Sequence, residues 1–390
     1  MVLNELLGLY RGTLLDDVIP FWMKHGIDPN GGINSCIRDN GEVVSRDRWS
    51  RSQTRAIYVF SKLYNRIEPR SEWLDIAQGI YRFVTAHGPL EDGTWPLLLS
   101  GDGEVLRGHE SVFTDTFAIY GFVELWRATR NEEALDLAVN TFRVLEKILG
   151  SQEPPPTWPY PTPPGCAAHA VSMMCSLVYN ELADATKDPA TRAAADEHHR
   201  RVMESFYREN RGLLLELVRT DGTELETPKG RAVVPGHAIE SMWFQMLIAR
   251  ASGNVKTLDR CVEVIHRHLE AGWDTEYGGI LLAVDADGNP DVDWPHADSK
   301  VWWPQTEALV ATLLAYEHCG EQWCLDWHEK VRDYAYSRYP VEVYGEWTQE
   351  LNRKGEASTE LVGLPVKDPF HLPRALMYCI DILERLVNKS

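Results

Sequence analysis

The sequence predicts an all-α chain closed into a single (α/α)6 barrel over residues 1–390, and three observations lead there. A unit of loop and helices recurs roughly every 60 to 65 residues, too long for a solenoid repeat and right for a helix pair plus a hairpin. About twelve segments carry apolar residues at helical spacing, and they alternate between amphipathic and nearly charge-free. Five of the loops between them share one plan: Gly, a short β-rich stretch, Asp-Gly or a close equivalent, and a second short stretch.

Those loops are GGINSCIRDNGEVV from Gly31, GTWPLLLSGDGEVL from Gly93, GLLLELVRTDGTEL from Gly212, GGILLAVDADGNPDV from Gly278 and GEWTQELNRKGEAS from Gly345. Asn-Gly and Asp-Gly tolerate the positive φ of tight two-residue turns, so each reads as a β-hairpin. Where a sixth is due stands SQEPPPTWPYPTPPG, residues 151–165, whose prolines forbid helix or central strand and leave a long loop. The helical segments run near 4–24, 49–65, 71–87, 110–129, 132–149, 166–186, 190–208, 236–252, 254–271, 300–318, 322–338 and 371–387. Odd-numbered ones such as EALDLAVNTFRVLEKIL from Glu133 carry charge on one face, as outer helices do. Even-numbered ones such as HAIESMWFQMLIA from His237 have little continuous charged surface, as expected of inner helices. Every hairpin then leads into the N-terminus of an inner helix, so the amide donors of six helices face one funnel. A site for a polar ligand belongs there.

Composition narrows the partners. Lys and Arg number 39 against 58 Asp and Glu, a net −19 that repels phosphate backbones and anionic membrane surfaces, so nucleic acid and membrane are not expected. The first residues, MVLNELLGLYRGTLLDD, lack a basic n-region and do not read as a signal peptide, and no uncharged run approaches the length of a membrane span. Seven cysteines form no C-x-x-C pair, and the odd count fits a reduced cytoplasmic chain.

The starts of the inner helices hold the polar candidates. They are Arg51, Gln53 and Arg55 in RWSRSQTRAIYVFSKLYN, Asp115 in ESVFTDTFAIYGF, and His169. Further along come His237 and Glu240 in VPGHAIESMWF, Lys300, Trp302, Trp303, Gln305 and Glu307 in KVWWPQTEAL, and His371 and Arg374 in DPFHLPRALM. PGHAIE, KVWWPQTEAL and FHLPRAL, in that order, together with QTRAIYVFSKLYN, resemble the N-acylglucosamine 2-epimerase family over nearly the whole chain. The resemblance implies an (α/α)6-barrel isomerase acting on the open-chain form of a reducing sugar: a 2-epimerase of N-acylglucosamine, cellobiose or mannose type, or an aldose-ketose isomerase. It implies that His237 and His371 are the acid/base pair and that Arg55 binds the sugar near C1 and C2. Glu240, Trp302, Trp303, Gln305, Glu307, Arg374 and Asp115 complete the expected substrate-binding set.

Chemistry agrees with those roles. Removing the C2 proton beside an aldehyde leaves an enediolate, which needs a base of near-neutral pKa and a cation or donor at the developing oxygen. A histidine at a helix N-terminus feels the positive end of the macrodipole, which disfavours imidazolium. Inversion requires reprotonation from the opposite face, which two histidines on opposed walls provide; return to C1 gives a ketose with one base. The abundance of 14 Trp and 15 Tyr suits stacking on sugar rings as well as core packing. Trp302 and Trp303 lie about 100° apart on a helix, so one is expected as sugar platform and the other as core.

Structural alternatives stand beside each assignment. Either histidine can be a satisfied core residue, Arg55 an ion-pair partner of Glu240 or Asp115, and Glu240 and Glu307 holders of an arginine or histidine rather than of substrate. His169 matches no motif of the family. Met173 or Met174 stands where relatives acting on cellobiose carry a further histidine, which speaks against that substrate. Arg51 replaces an aromatic or aliphatic residue, and it either recognises an acidic or polar substituent or pairs with Asp115. No cofactor or metal is expected: His198-His199 and His266/His268 lack i, i+4 spacing, and no phosphate loop, G-x-G-x-x-G or G-x-S-x-G is present. Nor is there a motif for a nucleotide effector. Other classes remain: a glycoside hydrolase using Asp115 with Glu240 or Glu307, or a noncatalytic carbohydrate-binding protein. The outer faces leave a homodimer open.

Overall fold

In the computed structural model, described for residues 2–358 and 367–389, outer and inner helices alternate six times. The outer helices are α1 (Leu3–Gly12, extended through widened turns to Gly26), α3 (Ser71–His87), α5 (Glu132–Leu149), α7 (Pro189–Arg200, likewise extended to Phe206), α9 (Val255–Gly272) and α11 (Gln322–Arg338). The inner ones are α2 (Ser50–Arg66), α4 (Val112–Thr129), α6 (His169–Thr186), α8 (Pro235–Ser252), α10 (Trp302–Cys319) and α12 (His371–Lys389). Observed and expected boundaries differ by at most three residues.

Each inner helix packs on the next, and α12 closes on α2. Outer helices lie on the inner helix that precedes them, and α1, with none before it, covers α12. Burial follows this plan. On α10, Pro304 through Ala315 are buried all round, whereas α9 buries one side, with Leu258, Cys261, Val262, Val264, Ile265, His268, Leu269 and Gly272.

The two ends of the barrel are built differently. At one end, four inner helices stop on a left-handed residue (Arg130, Lys187, Gly253, Gly320) and the next outer helix starts two residues later. Asn131, Asp188 and Asn254 then cap α5, α7 and α9 by accepting from backbone amides. At the other end the loops are long, and the five expected turns are all present as three-residue turns rather than two-residue ones. Gly41, Gly103, Gly222, Gly288 and Gly355 each donate to the carbonyl three residues earlier with φ between +77° and +92°.

Strand pairing also reaches across units. Arg48–Trp49, which leads into α2, pairs with Leu98–Leu99 of the next hairpin, and Cys166–Ala168, Ala232–Val233 and Lys300–Val301 do the same with Leu217–Arg219, Val284–Asp285 and Glu350–Leu351. The proline-rich loop takes the same place ahead of α4, where Val112 N donates to Pro156 O and Trp158 N to Glu110 O. No described helix is long and apolar enough to cross a membrane.

Candidate active site

The first two turns of α2, α8, α10 and α12 deliver the polar cluster. On α8, His237 and Glu240 are three residues apart and share a face; on α12, His371 and Arg374 do the same. Gly236 makes room for α10: a Cβ there would collide with the Trp303 ring and with Pro304. Trp303 therefore stacks on the His237 imidazole, ring centres 5.0 Å apart, and lies 5.7 Å from that of His371. Trp302 meets the same His371 ring edge-on at 6.0 Å, so both tryptophans border the histidine. Trp302 also packs against the hydrophobic core.

Both imidazoles are held through Nδ1. His237 Nδ1 lies 3.1 Å from Glu216 Oε2, and His371 Nδ1 lies 2.7 Å from Glu307 Oε1. Arg374 donates to Glu240 and, at 2.7 Å, to Glu307, while Trp243 Nε1 donates to the other Glu307 oxygen at 3.0 Å. With N–H donors on both its oxygens, Glu307 acts as acceptor, so His371 Nδ1 carries the hydrogen and Nε2 presents its lone pair.

The two rings are biased in opposite senses. Burial pushes His371 down to about 3, with Arg55 and Arg374 adding to the effect against Glu240. Burial works on His237 as well, but Glu216 beside it outweighs that and holds the ring above the ordinary histidine value. Reciprocally, Glu216 resists its own burial and drops to about 2 because His237 and His169 face it. The macrodipole expectation of two rings kept neutral thus fits His371 and fails for His237, where a carboxylate at 3.1 Å dominates.

Arg55 is ion-paired, though with Asp368 rather than Glu240 or Asp115, and its guanidinium sits 3.9 Å over the Phe117 ring and 4.8 Å from Phe370. Burial pulls it down to about 9, opposed by Asp368. Asp368 is fixed through its backbone by Gln349, and the neighbouring Lys367 is locked to Glu346 and Trp347 O at 2.7 Å each, which anchors the approach to His371. Arg55 Nε, Asp368 Oδ1, Arg374 Nε and Nη1, and Trp302 Nε1 are buried with no hydrogen-bond partner among the described residues, so the site holds several polar atoms suited to a polar ligand.

Other expected residues lie elsewhere. Both amide atoms of Gln305 bond the Ile280 backbone at 2.9 and 3.0 Å, as Gln53 does with Ile33 at the equivalent place one third of the ring away. Asp115 accepts from Trp95 N and pairs with His109 at 2.6 Å, so it meets neither Arg51 nor a second catalytic carboxylate. His169 bonds Ser241 at 3.1 Å and backs Glu216 at 3.7 Å. Met173 and Met174 are core residues of α6.

Two residues escaped the sequence reading: Glu216, the lone acid in the apolar run GLLLELV, and Asp368, within the quoted DPFHLPR. Ligand atoms of Glu240, Glu307 and His371 lie within 4.8 Å of one another, a spacing that suits a divalent ion. The guanidinium of Arg374 already donates to both carboxylates there and supplies their countercharge. Hydrolysis would need one of these glutamates as a free acid, and both are engaged with Arg374.

The funnel thus brings together two glutamate-held histidines and arginine donors, groups able to take up, release and stabilise charge. The family model described as N-acylglucosamine 2-epimerase (GlcNAc 2-epimerase) matches residues 31–374, and the chain belongs to that family. The N-acylglucosamine 2-epimerase of Bos taurus is 30% identical over 96% of this chain and 90% of its own. Among solved structures, the cellobiose 2-epimerase from Bacillus thermoamylovorans B4167 superposes with a TM-score of 0.84 at 20% identity, covering 98% of this chain and all of the other. A D-mannose isomerase gives 0.82 at 18% identity, covering 97% of this chain and 98% of the other. These superpositions establish the (α/α)6 barrel.

Proposed function

We propose that this isomerase interconverts the C2 epimers of a reducing sugar, of N-acylglucosamine/N-acylmannosamine or glucose/mannose type, through an enediolate of the open-chain form. The observation that carries the reading is the opposite bias of two imidazoles bordering one tryptophan, His371 low and His237 high. His371 Nε2 removes the C2 proton, and His237, whose protonated form Glu216 favours, returns one to the other face. Arg55 and Arg374 stabilise the oxygens on which charge develops. In the reverse direction the two rings exchange roles: neutral His237 removes the C2 proton and protonated His371 returns one, while between forward turnovers the proton left on His371 passes to solvent and His237 regains one.

Proton NMR in deuterium oxide tests this with mannose, glucose, N-acetylglucosamine and N-acetylmannosamine, and with His371→Ala as control. Deuterium at C2 of a 2-epimer product is the expected result. Fructose as product would move the assignment to an aldose-ketose isomerase, and exchange in no sugar would overturn the reading.

A further inference from the structure

We propose that Arg51 forms a subsite for an anionic substituent, a carboxylate or a phosphate, at the end of the sugar remote from the reacting carbons. This rests on the reading of the chain as a sugar 2-epimerase and adds the charge class of its substrate. Arg51 is the second residue of α2, one helical turn (about 5.4 Å of rise) ahead of Arg55 and on the same face. It therefore stands nearer the rim than the groups that do the chemistry.

Charge accounting singles it out. Arg374 is paired with Glu240 and Glu307, and Arg55 with Asp368, but the Arg51 guanidinium makes no hydrogen bond or ion pair with any described residue. Asp115, its expected partner, is engaged with His109 and Trp95 N. Burial pushes Arg51 down from the ordinary arginine value, and only the fields of Asp368, already held by Arg55, and of the Tyr160 phenol oppose that. A half-buried guanidinium lacking a counterion costs free energy that an incoming anion offsets, and a carboxylate or phosphate matches its planar fork.

The neighbourhood suits a sugar carrying such a group. Tyr160 from the proline-rich loop and Trp294 from the loop at 288–299 meet with ring centres 5.0 Å apart, and Trp294 Nε1 has no hydrogen-bond partner among the described residues. These rings come from two different units and add an aromatic wall beside the unpaired cation. The chain's net −19 opposes anions at long range, so selection for them must come from a direct contact.

The test compares kcat/KM for C2 exchange of mannose and glucose with that of their 6-phosphates and of the corresponding uronates, in the native chain, Arg51→Gln and Arg51→Lys. The expected result is a preference of about tenfold or more for at least one anionic sugar over its neutral parent, with the phosphate and uronate arms telling which anion is meant. Arg51→Gln lowers that preference about tenfold or more, and Arg51→Lys keeps most of it. No anionic preference in the native chain, or one unchanged in Arg51→Gln, overturns the subsite. If no sugar exchanges at C2, the epimerase reading has failed on its own. Calorimetric titration of the same sugars then decides the subsite, and equal affinities of the native chain and Arg51→Gln for the anions would end it.

Discussion

His237 and His371 stand in the first turns of two inner helices, each with Nδ1 against a glutamate, yet their surroundings drive them apart. The glutamate at His237 is a dedicated one: Glu216 touches that ring and His169 and no arginine, so its negative charge is felt in full. Glu307 at His371 is shared, its charge already answered by Arg374 and by the Trp243 indole. What remains at His371 is burial, which removes charge, whereas at His237 a free countercharge retains it. Identical residue types in similar contacts, 3.1 and 2.7 Å, are biased in opposite senses according to whether the glutamate behind them is spoken for.

The largest effect should come from removing the proposed base. His371→Ala should lower kcat for C2 exchange by a factor of about 10² to 10⁴, measured as deuterium incorporation. Next is the shared glutamate: Glu307→Gln leaves Arg374 buried beside Glu240 alone, and thermal unfolding should show a loss of about 3 to 5 kcal/mol. A chain as stable as the native one would mean that Glu240 suffices. Glu216→Gln addresses the other station. A folded-state pKa raised for His237 keeps the ring protonated to higher pH than an ordinary histidine and releases the proton as pH rises, so activity needing the charged ring falls on the alkaline side. Without the carboxylate that alkaline limb should move to lower pH in a kcat/KM profile, and an unmoved limb would remove Glu216 from the mechanism. The smallest effect belongs to Gln305→Leu, which strands Ile280 N–H and C=O and should cost about 1 to 3 kcal/mol of stability. KM should stay within about twofold, because the side chain has no free polar atom for a sugar.

That last variant marks where the sequence was legible. Helix boundaries, the five glycine turns and the place of the proline-rich loop follow from patterns that repeat, since each unit solves the same packing problem. Gln305 and Asp115 were assigned to substrate because they are polar and lie at inner-helix starts. Gln53 occupies the equivalent position and does the same scaffold work, tying a hairpin backbone to an inner helix. Polar residues that recur from unit to unit hold the fold, and those that break the repeat, such as His237, Arg374 and Glu307, gather at the site. Glu216 and Asp368 were missed for a related reason. One precedes a helix by a whole hairpin and the other finds its partner Arg55 at the far end of the chain, so no local spacing announces either. The direction of each histidine's bias depends on those long-range partners and was not accessible to an argument from the helix dipole alone.

The two-residue links at the plain end of the barrel constrain how such a molecule can change. A left-handed stop followed directly by a capping Asn or Asp leaves no slack, and one inserted residue there would rotate an outer helix about its axis and turn its apolar stripe toward water. Length is free to vary only in the loops at the opposite end, which are also the walls of the funnel. In this architecture, growth by insertion falls on the end that meets the ligand, so added length reshapes the pocket before it disturbs the barrel.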